Sequence, residues 1–181
     1  MNTMKVIKRM LIGIGCLIAL LLIVALFVKK DYAIEREITI RKPKQEVFDY
    51  IKQLKNQDEY NKWVMTDPAM KKAFAGKDGT VGFVYTWDSN DNNVGKGEQE
   101  ITGIIDERQV DMEIRFKKPF ENTAHAYLIT EDVAANGTRV KWGMKCRAPY
   151  PLNLMNLFVP DMLGDDIDMS LVTLKGLVEK S

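Results

Sequence analysis

The stretch from Thr138 to Ser181 constrains the fold more than any other. An alternating segment, Arg139 to Arg147, runs through a proline-bounded loop into an amphipathic helix. Val140, Trp142, Met144 and Cys146 take one parity and Arg139, Lys141, Lys145 and Arg147 the other, the period of two that marks a half-buried strand. Beyond the loop, Leu163, Ile167, Leu171, Leu174 and Val178 recur at spacings of three and four with Leu177 beside them, which paints one apolar stripe. Asp165 and Asp166 are expected in the first turn of this helix, where negative charge suits the helix dipole. Burial is worth roughly 1.5–3 kcal/mol for each side chain of the stripe, so the helix must dock, and the sheet written before it is the only large apolar surface on offer.

The other end of the chain carries a different signal. From Met10 to Val28 no residue is charged, and at about 1.5 Å per residue this run is close to the thickness of a bilayer's hydrocarbon. No small-x-small cleavage site follows it; Val24-Ala25-Leu26-Phe27-Val28 leads straight into Lys29-Lys30. An uncleaved single-pass anchor is therefore expected, with residues 1–9 as its basic flank and 10–28 as the span. Cys16 lacks a lipobox around it and reads as an ordinary membrane-facing thiol. Lys5, Lys8, Arg9 and the terminal amine stand before the run and Lys29 and Lys30 after it, a small bias toward a cytoplasmic N-terminus and a folded domain on the non-cytoplasmic side.

Residues 31–181 are expected to form one domain. Net charge is +1 over the whole chain, but removing the five basic residues of the first 30 leaves 21 basic against 25 acidic side chains, or −4. A mildly acidic domain without a basic stripe excludes nucleic acid as a partner. Two cysteines, Cys16 and Cys146, make no disulfide framework.

In order, Tyr32, Ile34, Ile38 and Ile40 alternate with charged and polar residues as a first strand, and Arg36 breaks its apolar parity. Pro43 opens a helix with Val47, Phe48, Ile51 and Leu54 on its buried face, and a second short helix is predicted from Asp58 to about Val64, ended by Asp67-Pro68. Five strands follow: one with Val81, Phe83, Tyr85 and Trp87 on one parity; Glu98 to Ile105; one with Met112, Ile114 and Phe116; Thr123 to Glu131; and the last strand. Ser89 to Gly97 is rich in turn formers and predicts a hairpin, and Asn136-Gly137 a tight turn rather than a glycosylation site.

This order, with Ile38-Thr39-Ile40 before Pro43, Val47-Phe48-Asp49-Tyr50-Ile51, Trp63, Gly82, Tyr85-Thr86-Trp87, Gly95-Lys96-Gly97, Pro119-Phe120, Gly137-Thr138-Arg139-Val140-Lys141-Trp142 and Leu174-Lys175-Gly176-Leu177-Val178-Glu179, resembles the SRPBCC superfamily. These are the START-like and plant-pollen-allergen-like proteins, and the likeness is to their bacterial polyketide cyclase/dehydrase-type members. The resemblance covers Tyr32 to Lys180 and implies an α+β helix-grip fold: a curved antiparallel β-sheet around a long C-terminal helix, here preceded by one N-terminal transmembrane helix. It also implies a pocket between sheet and helix for lipids, polyketides or other apolar molecules.

No catalytic constellation accompanies the fold. His125, the one histidine, lies in a strand with no carboxylate placed to orient it, and Glu98 and Glu100 share a parity that reads as a solvated face or, less simply, as a pocket pair. Phosphate loops, nucleophile elbows and metal-spaced ligands are missing, so no cofactor or metal is expected. The expected ligand-binding residues are Phe83, Tyr85, Trp87, Met112, Ile114, Phe116, Trp142 and Met144 from the strands, with Ile167 and Leu171 from the helix; the same face serves equally as plain core. Leu152, Leu154, Met155, Leu157 and Phe158, among Pro149, Pro151 and Pro160, need cover: a lid at the cavity mouth, a bilayer contact, or a core plug.

The expected function is a membrane-anchored, non-catalytic module that binds a hydrophobic small molecule or lipid. Two alternatives stay open: a polyketide cyclase/dehydratase-like enzyme with His125, Tyr85 or Glu98 as proton carriers, and an anchored interaction module with a filled core.

Overall fold

The computed structural model describes residues 3–134 and 136–180. Helix α1 (Thr3–Phe27) leads into strand β1 (Asp31–Ile40), then α2 (Lys44–Ile51), a 3-10 turn (Leu54–Asn56), α3 (Gln57–Tyr60) and α4 (Lys62–Thr66). The remaining strands are β2 (Lys71–Ala75), β3 (Val84–Asp88), β4 (Lys96–Ile105), β5 (Gln109–Lys118), β6 (Asn122–Val133) and β7 (Gly137–Arg147). A second 3-10 segment (Leu152–Leu157) precedes α5 (Val159–Val178).

All seven strands form one antiparallel sheet in the order β1-β7-β6-β5-β4-β3-β2. Because β1 and β7 are neighbours, the two ends of the domain are tied together through a ten-residue register from Asp31↔Arg147 to Ile40↔Thr138. Val140, Trp142, Met144 and Cys146 are buried as their parity predicts, and α5 lays Ile167, Leu171, Leu174 and Val178 on the same side of the sheet. Phe48, Ile51, Leu54 and Tyr60 complete this core from the short helices.

Arg36, the residue that breaks the parity of β1, points under α5. Its Nε donates to Asp168 at 3.0 Å, and a Cβ built on Gly164 would lie 2.2 Å from its guanidinium, so the arginine's end rests in the space beside that glycine.

Several boundaries differ from the sequence reading. The predicted helix from Asp58 to Val64 is two helices, because Asn61 takes extended backbone and its side chain accepts the Trp63 N–H as the N-cap of α4. Strand β2 was not legible in the sequence. Strand β3 begins only at Val84: Gly82 has φ +87, Val81 is exposed, and Phe83 is buried ahead of the strand. Helix α5 starts at Val159 with Pro160 in its first turn, so Asp161, not Asp165 and Asp166, sits near its N-terminus. Gly137 already pairs with Val133, and the left-handed residue of that connection is Asn136.

Helix α1 contains a segment, Met4–Phe27, long and apolar enough to cross a membrane. Its apolar side chains are exposed except at Val6, which is half-buried, and at Ala25, which the second 3-10 segment covers.

Candidate functional site

Between α5, the short helices and the concave face of the sheet lies a cavity of about 250 Å³. Tyr85 and Trp87 come from β3, Ile114 and Phe116 from β5, and Trp142 and Met144 from β7, each by strand alternation. Phe83, Met112, Ile167 and Leu171 do not line it; they are wholly or almost wholly buried in the core behind it. Met112 does touch the wall indirectly, since its Sδ accepts from Nε2 of the cavity residue Gln99 at 2.8 Å. Further lining residues come from positions the sequence reading left out, notably Gln57, Asn61, Trp63, Val64 and Met70. Their signal is faint: α3 and α4 are too short to show a helical period.

The aromatic wall is built edge to face. Trp142 meets Tyr60 at 6.0 Å and Trp63 at 6.4 Å between ring centroids, and Trp87 meets Phe116 at 6.1 Å. Trp87 Nε1 is satisfied by the Val94 carbonyl at 3.1 Å, whereas Trp142 Nε1 has no protein hydrogen-bond partner.

Gln57 is the second unpaired donor, and its orientation follows from its neighbours. Asn61 Oδ1 is committed to capping α4, so Asn61 Nδ2 donates to Gln57 Oε1 at 3.0 Å. That leaves Gln57 Nε2 free, and it too is buried with no protein partner. Among the described residues that line this mostly apolar cavity, Gln57 and Trp142 thus each carry a buried, unmatched N–H donor, Nε2 and Nε1.

Tyr85 donates to Asp58 Oδ1 at 2.7 Å, and Lys72 holds the other carboxylate oxygen at 2.9 Å. Burial, and then the hydrogen bond to Asp58, push this phenol far above its usual range, so it stays protonated and is no base. Burial raises the Cys146 thiol as well, which keeps it a neutral part of the wall.

The proton carriers named for an enzyme are not brought together. His125 is exposed on the outer face of β6, opposite Lys145 and Glu113 in the register. Glu98 is also on the outer face, bound by Arg115 and Lys117, each at 2.7 Å; Lys117 first and Arg115 second hold its carboxyl below the usual carboxylate range. Glu100 binds the same Arg115 at 2.8 Å. Of the three carriers only Tyr85 reaches the cavity.

Residues 32–179 match the model of a family described as polyketide cyclase/dehydrase and lipid transport. The chain belongs to this family. No curated protein matches the sequence. Among solved structures, the chain is similar to Ara h 8.0201 (15% identity, 83% of this chain and 99% of that one, TM-score 0.59). It is also similar to truncated norcoclaurine synthase from Thalictrum flavum (9% identity, 83% and 95%, TM-score 0.64) and to a protein from Thermus thermophilus (16%, 81% and 97%, TM-score 0.58). At these identities the likeness shows the helix-grip fold.

Proposed function

We propose that the protein is a membrane-anchored binding module for an apolar molecule that carries an oxygen acceptor, acting as carrier or sensor rather than as catalyst. The observation that supports this most is the pair of buried, unpartnered donors on residues that line a mostly apolar cavity. Leaving a buried N–H unpaired costs about 1–3 kcal/mol. Such a cost weighs on a domain whose net stability is about 5–15 kcal/mol, and a guest with a carbonyl or hydroxyl oxygen within reach offsets it.

Size narrows the guest. A cavity of about 250 Å³ is below the range of roughly 300–1,000 Å³ typical of drug-sized ligands. One ring system or one acyl chain fits this scale; a whole two-chain lipid does not. The family's description includes lipid transport, and α1 is long and apolar enough to hold the domain at a bilayer. The positive charge before α1 favours the non-cytoplasmic side for the domain.

Photocrosslinking tests the reading. A diazirine-bearing fatty acid, added to the full chain in lipid nanodiscs, is expected to label peptides of β3, β5 and β7, and Ile114→Trp is expected to abolish that labelling by filling the cavity. Labelling confined to α1 in both proteins would contradict a bound guest.

A further inference from the structure

The junction between α1 and the domain is not a tether. Carbonyls at a helix C-terminus have no partner within the helix and ordinarily turn to water or to capping groups. Here Asn153 Nδ2 donates to the carbonyls of Ala25 (2.7 Å) and Val28 (2.8 Å), and Asn156 Nδ2 to those of Lys29 (2.9 Å) and Lys30 (3.0 Å). An amide NH₂ has two hydrogens to give, and both asparagines use both. The Ala148 N–H adds a bond to the Lys30 carbonyl at 2.9 Å, and the Tyr150 hydroxyl lies 3.4 Å from the Leu22 carbonyl.

These contacts fix the depth of the Leu152–Leu157 segment. Leu22 is five residues before Phe27, about 7.5 Å down the helix, so the segment lies alongside the last turns of α1 rather than above its end. Lys5, Lys8 and Arg9 take up the N-terminal surplus of Met4–Phe27, so the uncharged run from Met10 to Val28 just spans the hydrocarbon and Lys29 and Lys30 hold its end at the interfacial layer. Leu152, Met155, Leu157, Phe158 and Met162 surround this junction, and each is exposed. A large apolar patch of this kind marks a contact surface.

The antiparallel register brings the cavity mouth to the same place. The start of β1, the end of β7, the start of β6, the end of β5, the start of β4 and the end of β3 share one end of the sheet, through Asp31↔Arg147, Ala124↔Cys146, Phe116↔Asn122, Lys96↔Lys118 and Asp88↔Lys96. The exposed residues of the cavity lining, Asn93, Lys118 and Pro119, are all at that end, and next to them Phe120 is exposed at the tip of the β5–β6 connection. The deep lining residues, Gln57, Val64, Met70 and Trp142, are buried.

We infer that the Leu152–Leu157 segment, the start of α5 and the Phe120 tip form a rim that dips into the bilayer interface, so that the cavity mouth opens onto lipid and a guest enters without crossing water. The inference rests on α1 spanning the membrane. Glu121 and Asp161 stand in the rim beside Lys29, Lys30 and Lys118, so apolar insertion rather than attraction to anionic lipid drives the contact.

The test uses the full chain with Cys16→Ser and Cys146→Ser, reconstituted in phosphatidylcholine vesicles and carrying one environment-sensitive nitrobenzoxadiazole label. Labels go in turn on Phe120→Cys, Phe158→Cys, Asp106→Cys at the opposite end of the sheet, and Leu17→Cys within α1. Labels at 120 and 158 are expected to emit at shorter wavelength than the label at 106 and to be quenched by lipid spin-labelled near the headgroup, while 106 is unaffected. All four label sites are exposed, so the labels stay off the core, and serine stands in for the buried Cys146 at nearly the same volume in every sample compared. A second lipid, spin-labelled deep in its acyl chain, reports on site 17: quenching there with none at 120 or 158 by the headgroup label overturns the inference and leaves the anchor standing. No quenching at 17 by the deep label removes the anchor and the inference with it.

Discussion

At the scale of single residues, the unpaired donors on the cavity's lining residues are one indole N–H and one amide. Trp142→Phe keeps an aromatic ring against Tyr60 and Trp63 but deletes the unpaired donor. Titration of a matched pair of guests, one with a ketone and one a plain hydrocarbon, should show the wild type favouring the ketone and the variant losing about 3- to 10-fold of that preference, the worth of one net hydrogen bond. An unchanged ratio would remove Trp142 from the recognition. Gly164 makes a second residue-level case. Adding a methyl there moves the flexible end of Arg36 and loosens the Arg36–Asp168 pair, worth about 0–1 kcal/mol, while helix propensity gains about 1 kcal/mol, so Gly164→Ala should change stability in denaturant unfolding by less than about 1 kcal/mol. The outer face supplies a pH dependence. Lys117 and Arg115 lower the Glu98 carboxyl in the folded state, so the stability it contributes is present above its unfolded value and is lost as pH falls through the folded one. Glu98→Gln should accordingly flatten the acid side of a melting-temperature profile while leaving the neutral region's slope unchanged.

Among the elements, the legibility of the sequence tracked burial. Strands with one face on the core, such as β7 with Val140, Trp142, Met144 and Cys146, are written in their alternation, and so is the stripe of α5. Strand β2 is not, because Lys71-Lys72-Ala73-Phe74-Ala75 is a short edge strand, mostly exposed, with a single large apolar residue. Lysines on such an edge discourage pairing with another chain and remove the pattern that would reveal it. Phe74 nevertheless matters to the site, since it meets Tyr85 edge to face at 5.2 Å. Part of the cavity wall was legible for the same reason: Tyr85, Trp87, Ile114, Phe116, Trp142 and Met144 follow from alternation, whereas Phe83, Met112, Ile167 and Leu171 share the inward side but pack too deep to reach the void. Alternation tells which side a residue faces, not how far from the cavity it ends. The Leu152–Leu157 segment was legible only as an apolar connector needing cover; the two asparagines that give it a place act across more than 120 residues of sequence. Replacing both, Asn153→Ala with Asn156→Ala, should speed amide exchange in the residues that follow α1 and through Ala148, while exchange in β5 and β6 stays as in the wild type. Equal exchange at Ala148 in both proteins would show that the clamp does not hold the junction.

For the whole molecule, the central claim is that sheet and C-terminal helix enclose a space that a guest occupies at the membrane. Pairing of β1 with β7 puts the exit of α1, the apolar rim and the cavity mouth at one end, so the proposed anchor and the proposed binding site would form a single device. The most direct measurement is native mass spectrometry of the full chain released from its membrane, with the wild type and Ile114→Trp compared under the same conditions. The account predicts a single added mass on the wild type, which dissociates as an apolar molecule bearing at least one oxygen and is missing from the variant. A wild type that flies at its bare mass under conditions that preserve bound lipid on α1, or an adduct that persists unchanged in Ile114→Trp, would contradict it.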